Sequence, residues 1–251
     1  MSKPVVHIVC PSRGRAAKVL TKKLVKDLII VVPHNEVQEY KKYNPNCEII
    51  GTPDHIKGIT PTRQWILEKY KDEHLFMIDD DVNDVRRNFE DITDNISLKD
   101  PDTIREIILE TAETASNLGT GLFGFSKIRN PVEYNPMNPL AMTGFVNNSF
   151  MGFVKGHKLS YDLRFSEGED HYMSCLAVYT YRFVLIDNRW SFMTVDNFQA
   201  IGGCNGYRTV ETMKENTLLL RKTFGKVVQV KHAGPTKKKV NEGERSLIFP
   251  Y

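Results

Sequence analysis

Residues 75–82 read Leu-Phe-Met-Ile-Asp-Asp-Asp-Val, so four apolar residues run straight into three consecutive carboxylates. An apolar run of this length suits a short buried strand, and the acids stand where that strand must end. In an open α/β sheet, ligands bind at the carboxyl ends of the strands. Three adjacent like charges repel, and a divalent cation neutralises them well. Oxygen-only ligands suit Mg²⁺ or Mn²⁺, which usually share their coordination shell with a substrate phosphate. The first expectation is a metal-assisted site for a phosphate-bearing substrate. If the strand continued through the triplet, Asp79 and Asp81 would share a face and Asp80 would oppose them. The plainer reading is a charged turn with Asn83 or Asp84 in a capping role.

Three other segments carry candidate chemistry. Pro11-Ser12-Arg13-Gly14-Arg15 follows an apolar run. Helix-start amides with two guanidinium groups suit a diphosphate or a nucleotide base. The segment lacks the glycines of a dinucleotide fingerprint and is not a P-loop. Arg63 falls one turn into a predicted helix that starts at the same sheet edge, within reach of a phosphate. Alone it reads as a surface arginine. Ser166-Glu167-Gly168-Glu169-Asp170-His171 precedes an amphipathic helix. Ser166 and Glu169 fit a capping box, which leaves Asp170 able to accept a proton from an attacking hydroxyl. Its structural alternative is a favourable place on the helix dipole. His232 ends a predicted strand, and a neutral imidazole there can join a divalent metal.

The elements that must position these residues follow an alternating order. Val5–Cys10, Leu28–Val32, Glu48–Ile50 and the run before the triplet read as buried strands. Between them, helices are expected over Arg15–Lys26, from an Asn35 cap to Tyr43, and from Thr60 as cap with Pro61 at the first helical position. A β-α-β-α-β-α-β order predicts a parallel, doubly wound sheet. Asp100-Pro101 opens a helix to about Leu118, stopped by Gly119. Short strands are expected at Leu122–Lys127, Ala141–Phe145 and Phe150–Val154. The proline-rich Asn130–Pro139 reads as a loop over the site. A helix from Glu167 to about Tyr179, a strand at Arg182–Ile186, a helix at Thr209–Phe224 and a strand at Lys226–His232 complete the pattern. No repeat or linker divides the chain. One domain is expected, with a nucleotide-binding half over about 1–98 and an acceptor half with a basic tail over about 99–251.

The 251 residues carry a formal net charge of +3, with 41 % hydrophobic and 26 % charged residues, as in an ordinary globular protein. That balance permits a polyanionic partner without requiring one. Lys18, Lys22, Lys23 and Lys26 cluster, as do Lys237, Lys238 and Lys239; a solvated face is the plain alternative. Cys10, Cys47, Cys175 and Cys204 show no CxxC spacing and read as reduced thiols. With no bilayer-length apolar run and no signal peptide, a cytoplasmic protein without a membrane partner is expected.

The opening "HIVCPSRGRA", the segment "TPTRQWILEKY" before "LFMIDDDV", and the Glu-Asp at a later helix start resemble GT-A fold glycosyltransferases. Their look is most like that of the phage-type TET-associated group. The resemblance implies an α/β fold with a Rossmann-type, mostly parallel central sheet flanked by helices and a smaller mixed acceptor half. It implies transfer from a nucleotide sugar, UDP-linked by expectation, to the hydroxyl of a 5-hydroxymethylpyrimidine such as 5-hydroxymethylcytosine in double-stranded phage DNA. That would place the protein in the host cytoplasm. Carried over, Pro11, Ser12, Arg13 and Arg15 line the nucleotide, and Arg63 and Asp80 join the donor site. Asp79 serves the ribose or metal shell, and Asp81 and His232 hold Mn²⁺ or Mg²⁺. Asp170, beside Glu169, is the base of an inverting transfer, and Asn130–Pro139 with Lys237–Lys239 meets the DNA backbone. A glycan, lipid or protein acceptor, a nucleotidyltransferase and a non-catalytic binding module are the alternatives. Monomer and homodimer are both left open.

Overall fold

A computed structural model describes residues 5–89, 96–128, 130–195, 209–230 and 245–249. Its strands are β1 Val6–Pro11, β2 Ile29–Pro33, β3 Glu48–Thr52, β4 His74–Ile78, β5 Val82–Arg87, β6 Ser97–Leu98, β7 Leu122–Ser126, β8 Leu140–Ala141, β9 Phe150–Phe153, β10 Leu185–Thr194, β11 Val228–Val230 and β12 Arg245–Leu247. The helices are α1 Val37–Tyr43, α2 Ile59–Lys69, α3 Pro101–Leu118, α4 Glu169–Tyr181 and α5 Val210–Phe224. The first ten strands form one sheet in the order β3-β2-β1-β4-β9-β7-β10-β5-β6, with β8 also on β10. β3, β2, β1 and β4 run parallel. Beyond β4 the sheet is mixed, because β9 runs antiparallel to both β4 and β7. The parallel half is the sheet that the alternating pattern predicts, and the mixed half is what the resemblance implies.

The continuous apolar runs of β1, β2 and β4 are explained by cover on both faces. Ile8, Ile30 and Phe76 face one way and pack with Ile104, Ile108 and Ala112 of α3. Val9, Val31 and Met77 face the other way and meet Ile66 of α2 and Met173 and Ala177 of α4. α3 begins as expected, with the Asp100 side chain accepting from the Thr103 amide and Pro101 at its first position. It ends at Gly119, whose φ of 83° suits a residue without Cβ. Among the described residues no helix is long and apolar enough to cross a membrane.

Several local expectations are corrected. The stretch expected as one helix over Arg15–Lys26 is two short 3₁₀ turns, Ala16–Lys18 and Thr21–Lys23. The Leu20 amide donates to Asp80 O and the Thr21 hydroxyl to Asp79 O, so the segment breaks at Leu20 to hold the acidic triplet and closes only short turns on either side. Asn35 does not cap α1; it lies inside a 3₁₀ turn, and the cap position is Glu36. α2 starts two residues early, from Gly58, and the Thr60 hydroxyl donates to Phe165 O instead of capping. The strand expected over Ala141–Phe145 shrinks to the two residues of β8. The chain at Arg182 is a left-handed helix end, φ 74°, so β10 begins only at Leu185 and then runs on to Thr194. Val82–Arg87, for which the pattern predicts no element, is strand β5 against β10, so Asn83 and Asp84 lie within a strand instead of capping a turn.

The centre of the sheet depends on a missing side chain. Gly152 of β9 stands opposite Phe76 on one side and Phe123 on the other. Those two rings stack across it with centroids 6.0 Å apart. A Cβ on Gly152 would fall into the Phe123 ring. Overpacking a filled core costs about 1–3 kcal/mol. Gly152→Ala is therefore expected to lower unfolding stability by about that amount in urea denaturation, with the m-value unchanged.

Candidate active site

A cleft of about 690 Å³ opens where β1, β2, β3 and β4 end. Its floor is the corner Asp79-Asp80-Asp81 between β4 and β5, and its far wall is the start of α4. The triplet does not continue the strand, so the alternation expected of Asp79 and Asp81 does not apply. Each residue is turned by a separate backbone bond. The Asp79 amide donates to Ser149 O, Asp80 O accepts from Leu20, and Asp81 O accepts from Val195.

The three carboxylates accordingly meet different partners. Asp79 Oδ1 lies 2.7 Å from Arg63 Nη2. Asp80 accepts from the Ser12 hydroxyl on one oxygen and from Arg15 Nη1 at 3.0 Å on the other. Asp81 Oδ2 is 3.9 Å from that same Arg15 nitrogen, and its side chain is 21 % exposed to the cleft. Arg15 is held further toward its charged form: burial works against it, but Asp80, Asp81 and Asp79 outweigh burial. Burial pushes the Asp80 carboxyl up, opposed by Ser12 and Arg15. The two close donors, one per oxygen, fit the ionised carboxylate. Tyr40 completes this corner, its hydroxyl 2.7 Å from Ser12 Oγ and accepting from the Arg15 amide. Burial pushes that phenol up to about 12, so it stays neutral.

Arg63 is not a surface arginine. It is 2 % exposed and ties the two sides of the cleft together. Nη1 donates to Asn148 O at 3.2 Å, and Nε stands 3.7 Å from Glu169 Oε1. Burial would release its proton, but Asp79 above all holds the guanidinium charged. Glu169 is therefore not the capping-box partner of Ser166. α4 is capped by Gly168 without a side-chain bond, and Ser166 Oγ accepts from Asn216.

Glu169 and Asp170 are adjacent carboxylates in different states. Burial, then the neighbouring Asp170 charge, pushes Glu169 up toward neutrality. Asp170 is driven the other way. Burial would raise it, but His171, whose Nδ1 is 2.9 Å from Asp170 Oδ1, and Arg245 hold it well below the usual carboxylate range. Asp170 thus stands ionised across the cleft from the triplet.

Arg245 has no signal in the sequence around it. It arrives on β12, lines the cleft and donates Nη1 to Thr217. Its guanidinium lies on the backbone of Gly168, where any Cβ would collide with it. The glycine of Glu-Gly-Glu-Asp was the available clue: φ is 73° and a side chain crowds it from outside. Pro11 and Arg13 line the cleft as expected, and Glu36 holds the loop by accepting from the Gly14 amide at 2.7 Å. None of Asn130–Pro139 lines the cleft; the carbonyls of Asn138 and Pro139 accept from Asn188 instead. His232 and Lys237–Lys239 lie outside the described residues.

The lining offers chemistry for a cation shared with a ligand. Among the described residues seven Asp and Glu face the cleft against five Lys and Arg, and with Glu169 pushed toward neutrality the acids still lead. A diphosphate entering that field would need added positive charge. Among the described residues no three His, Cys, Asp or Glu side chains converge as a ready metal cage. The donor set fits Mg²⁺ or Mn²⁺ held by one or two carboxylates and completed by phosphate oxygens and water.

Comparison with known proteins gives a family. A family model described as TET-Associated Glycosyltransferase matches residues 6–203. The Beta-glucosyl-HMC-alpha-glucosyl-transferase of Enterobacteria phage T2 is 40 % identical over 54 residues, 22 % of this chain and 19 % of that protein. The chain thus matches far less than two thirds of that relative's length. The solved structure of S. aureus TarS 1-349 in complex with UDP-GlcNAc aligns with a TM-score of 0.50 at 11 % identity, over 85 % of this chain and 65 % of that one. At that identity the likeness is one of fold.

Removing the buried cation tests this electrostatic arrangement. Arg63→Met strands Asp79 and Glu169, and breaking a buried pair costs about 3–5 kcal/mol. The low end, about 3 kcal/mol, is expected because the Asp79 side chain is 30 % exposed. Glu169, already pushed up, rises further. A carboxyl raised on folding gives most stability below its unfolded value and loses it as pH climbs toward the folded value. The deficit of Arg63→Met should therefore widen from pH 5 to pH 8 in urea unfolding curves.

Proposed function

The chain belongs to the TET-associated glycosyltransferase family, and from that premise we propose that it moves a sugar from a nucleotide sugar to a hydroxyl of 5-hydroxymethylpyrimidine in DNA. The observation that carries this reading is the pairing of an ionised carboxylate, Asp170, with the Asp79–Asp81 corner across one cleft. The donor half of the site is drawn from residues before 98 and the acceptor half from those after it. UDP is the preferred carrier, with 5-hydroxymethylcytosine as the acceptor base. The printed name of the phage relative, which refers to HMC, supports the acceptor class.

The chain's own residues divide the work. Ser12, Arg13 and Arg15 meet the nucleotide and its diphosphate, where guanidinium forks match phosphate oxygens. Asp80 fixes Ser12 and Arg15 in place. Asp81 and Asp79, with His232 as a further ligand, would hold Mg²⁺ or Mn²⁺, which when bound offsets the charge growing on the leaving diphosphate. Asp170 takes the proton of the acceptor hydroxyl as its oxygen attacks the anomeric carbon, which gives inversion. Glu169, kept near neutrality, adds little repulsion toward the departing diphosphate. An acceptor base in a duplex must first be extruded, at about a few kcal/mol.

A second reading has its own support. The name of the phage relative describes a glucosylated HMC as acceptor, so a hydroxyl of a sugar already on the base is the other candidate. Incubation with Mn²⁺, a panel of nucleotide sugars and plain, hydroxymethylated or pre-glucosylated DNA, followed by nucleoside mass spectrometry, separates the two. No mass gain on any DNA would sink both.

Three outcomes are expected once the donor is known. Asp170→Asn should lower kcat about 10²- to 10⁴-fold, the usual worth of a positioned base. Because Asp170 is held low, wild-type rates should stay level through neutral and mildly acidic pH and fall only in stronger acid. Chelation by EDTA should abolish transfer, with Mn²⁺ restoring it.

A further inference from the structure

Beside Asp170, the cleft-lining His171 leads outward to an aromatic ring and a cation. His171 follows Asp170 in the first turn of α4 and lines the cleft. Its ring meets that of Phe145, with centroids 4.4 Å apart and planes 37° from parallel. Lys127, exposed at the end of β7, holds Nζ 5.3 Å over the Phe145 ring. Phe145 is half-buried and belongs to none of the buried hydrophobic clusters, unlike Phe76, Phe123, Phe125 and Phe150.

Its backbone is nonetheless fixed. Gly144 before it has φ 137°, and the amide of Val146 after it donates to Ser174 Oγ inside α4 at 3.1 Å. Asn147, two residues on, is itself part of the cleft. A large flat ring thus stands against the cleft-lining His171 without serving the core. Such a ring beside a second ring and a cation is the composition of a nucleic-acid stacking platform.

We propose that Phe145 and His171 are the acceptor-base subsite: the extruded pyrimidine stacks on this pair, with its hydroxymethyl group at Asp170, and Lys127 meets a phosphate of the same strand. The assignment rests on the DNA-acceptor reading above. The order of these groups suits it. The carboxylate that must reach the hydroxyl comes first, the π faces come next, and the cation comes outermost where a backbone phosphate passes. A flexible glycan or peptide acceptor has no matching need for an outermost cation.

The test is steady-state transfer to a hydroxymethylated duplex by wild type, Phe145→Ala, Phe145→Trp and Lys127→Ala. Losing one stacked base is expected to raise KM for DNA about 10- to 100-fold, with kcat at saturating DNA within about threefold. Phe145→Trp, which keeps a π face, should restore KM. Lys127→Ala should flatten the slope of log KM against log salt by about one unit. If Phe145→Ala shows no cooperative melting transition, Phe145→Leu, apolar but without a stacking face, takes its place. Wild-type KM in these variants, or a fall in kcat at unchanged KM, overturns the platform while leaving the DNA reading intact. Absence of wild-type transfer to any DNA alongside transfer to a glycan defeats the DNA reading, and the platform with it.

Discussion

A guanidinium with almost no access to water must be answered by carboxylates, and at Arg63 that demand organises the whole cleft. Asp79 comes from the end of β4, Glu169 from the start of α4, and the Asn148 carbonyl from the loop before β9. Three segments far apart in sequence are thereby fixed at one point. The arrangement also sets the protonation pattern. Arg63 is shared between Asp79, which it fully meets, and Glu169, which it meets at longer range, so Glu169 is the carboxyl that burial can push up. Its neighbour Asp170, turned to His171 and Arg245, stays ionised. Two adjacent acids driven to opposite states by their surroundings are a common means of dividing acid and base roles.

Much of this was legible in the sequence wherever one residue type answers one local need. β1, β2 and β4 announce themselves because strands covered on both faces are apolar without alternation. α3 is marked at both ends by Asp100-Pro101 and Gly119, whose signals act within a few residues. The placing of Ser12, Arg15 and the acidic triplet around one cleft followed from their positions at strand ends. The misreadings arise where a distant partner outbids a local preference. Residues 15–26 have helical composition, yet Leu20 and Thr21 spend their donors on the triplet's carbonyls. Ser166 and Glu169 have capping-box spacing, yet Asn216 and Arg63 claim them. The importance of Arg245 lies wholly in β12 folding back over Gly168, a contact with no trace in nearby residues.

The split of the sheet fits this division. The parallel strands β3, β2, β1 and β4 bring four carboxyl ends together and so create a mouth rich in loop amides and arginines. The antiparallel β9 cannot extend that mouth, because it enters the sheet from the cleft edge. The chain just before it, Asn147–Ser149, forms part of the cleft, pinned to Asp79 by one backbone bond and to Arg63 by another. β10 serves three neighbours. It pairs with β7 from Leu185 to Asp187 and again at Ser191 after a register shift, with β8 at Ile186 and Asp187, and with β5 from Trp190.

That shared strand gives the acidic corner a further character. β4 and β5 are separated by only Asp79, Asp80 and Asp81 along the chain, yet β9, β7 and β10 lie between them in the sheet order. Three residues span at most about 10 Å even when extended, and here they close a tight turn, with the Val82 amide 3.5 Å from Asp79 O, so the corner joins the two parts of the sheet by a very short path. Leu20 and Thr21 hold the carbonyls of Asp80 and Asp79, Ser149 O holds the Asp79 amide, and the Val195 amide holds Asp81 O. A turn fixed by such backbone bonds keeps its path when side chains change, but not when its length changes. One inserted residue would slide each carboxylate onto its neighbour's partner. The spacing of this site is thus kept by chain count more strictly than by residue identity.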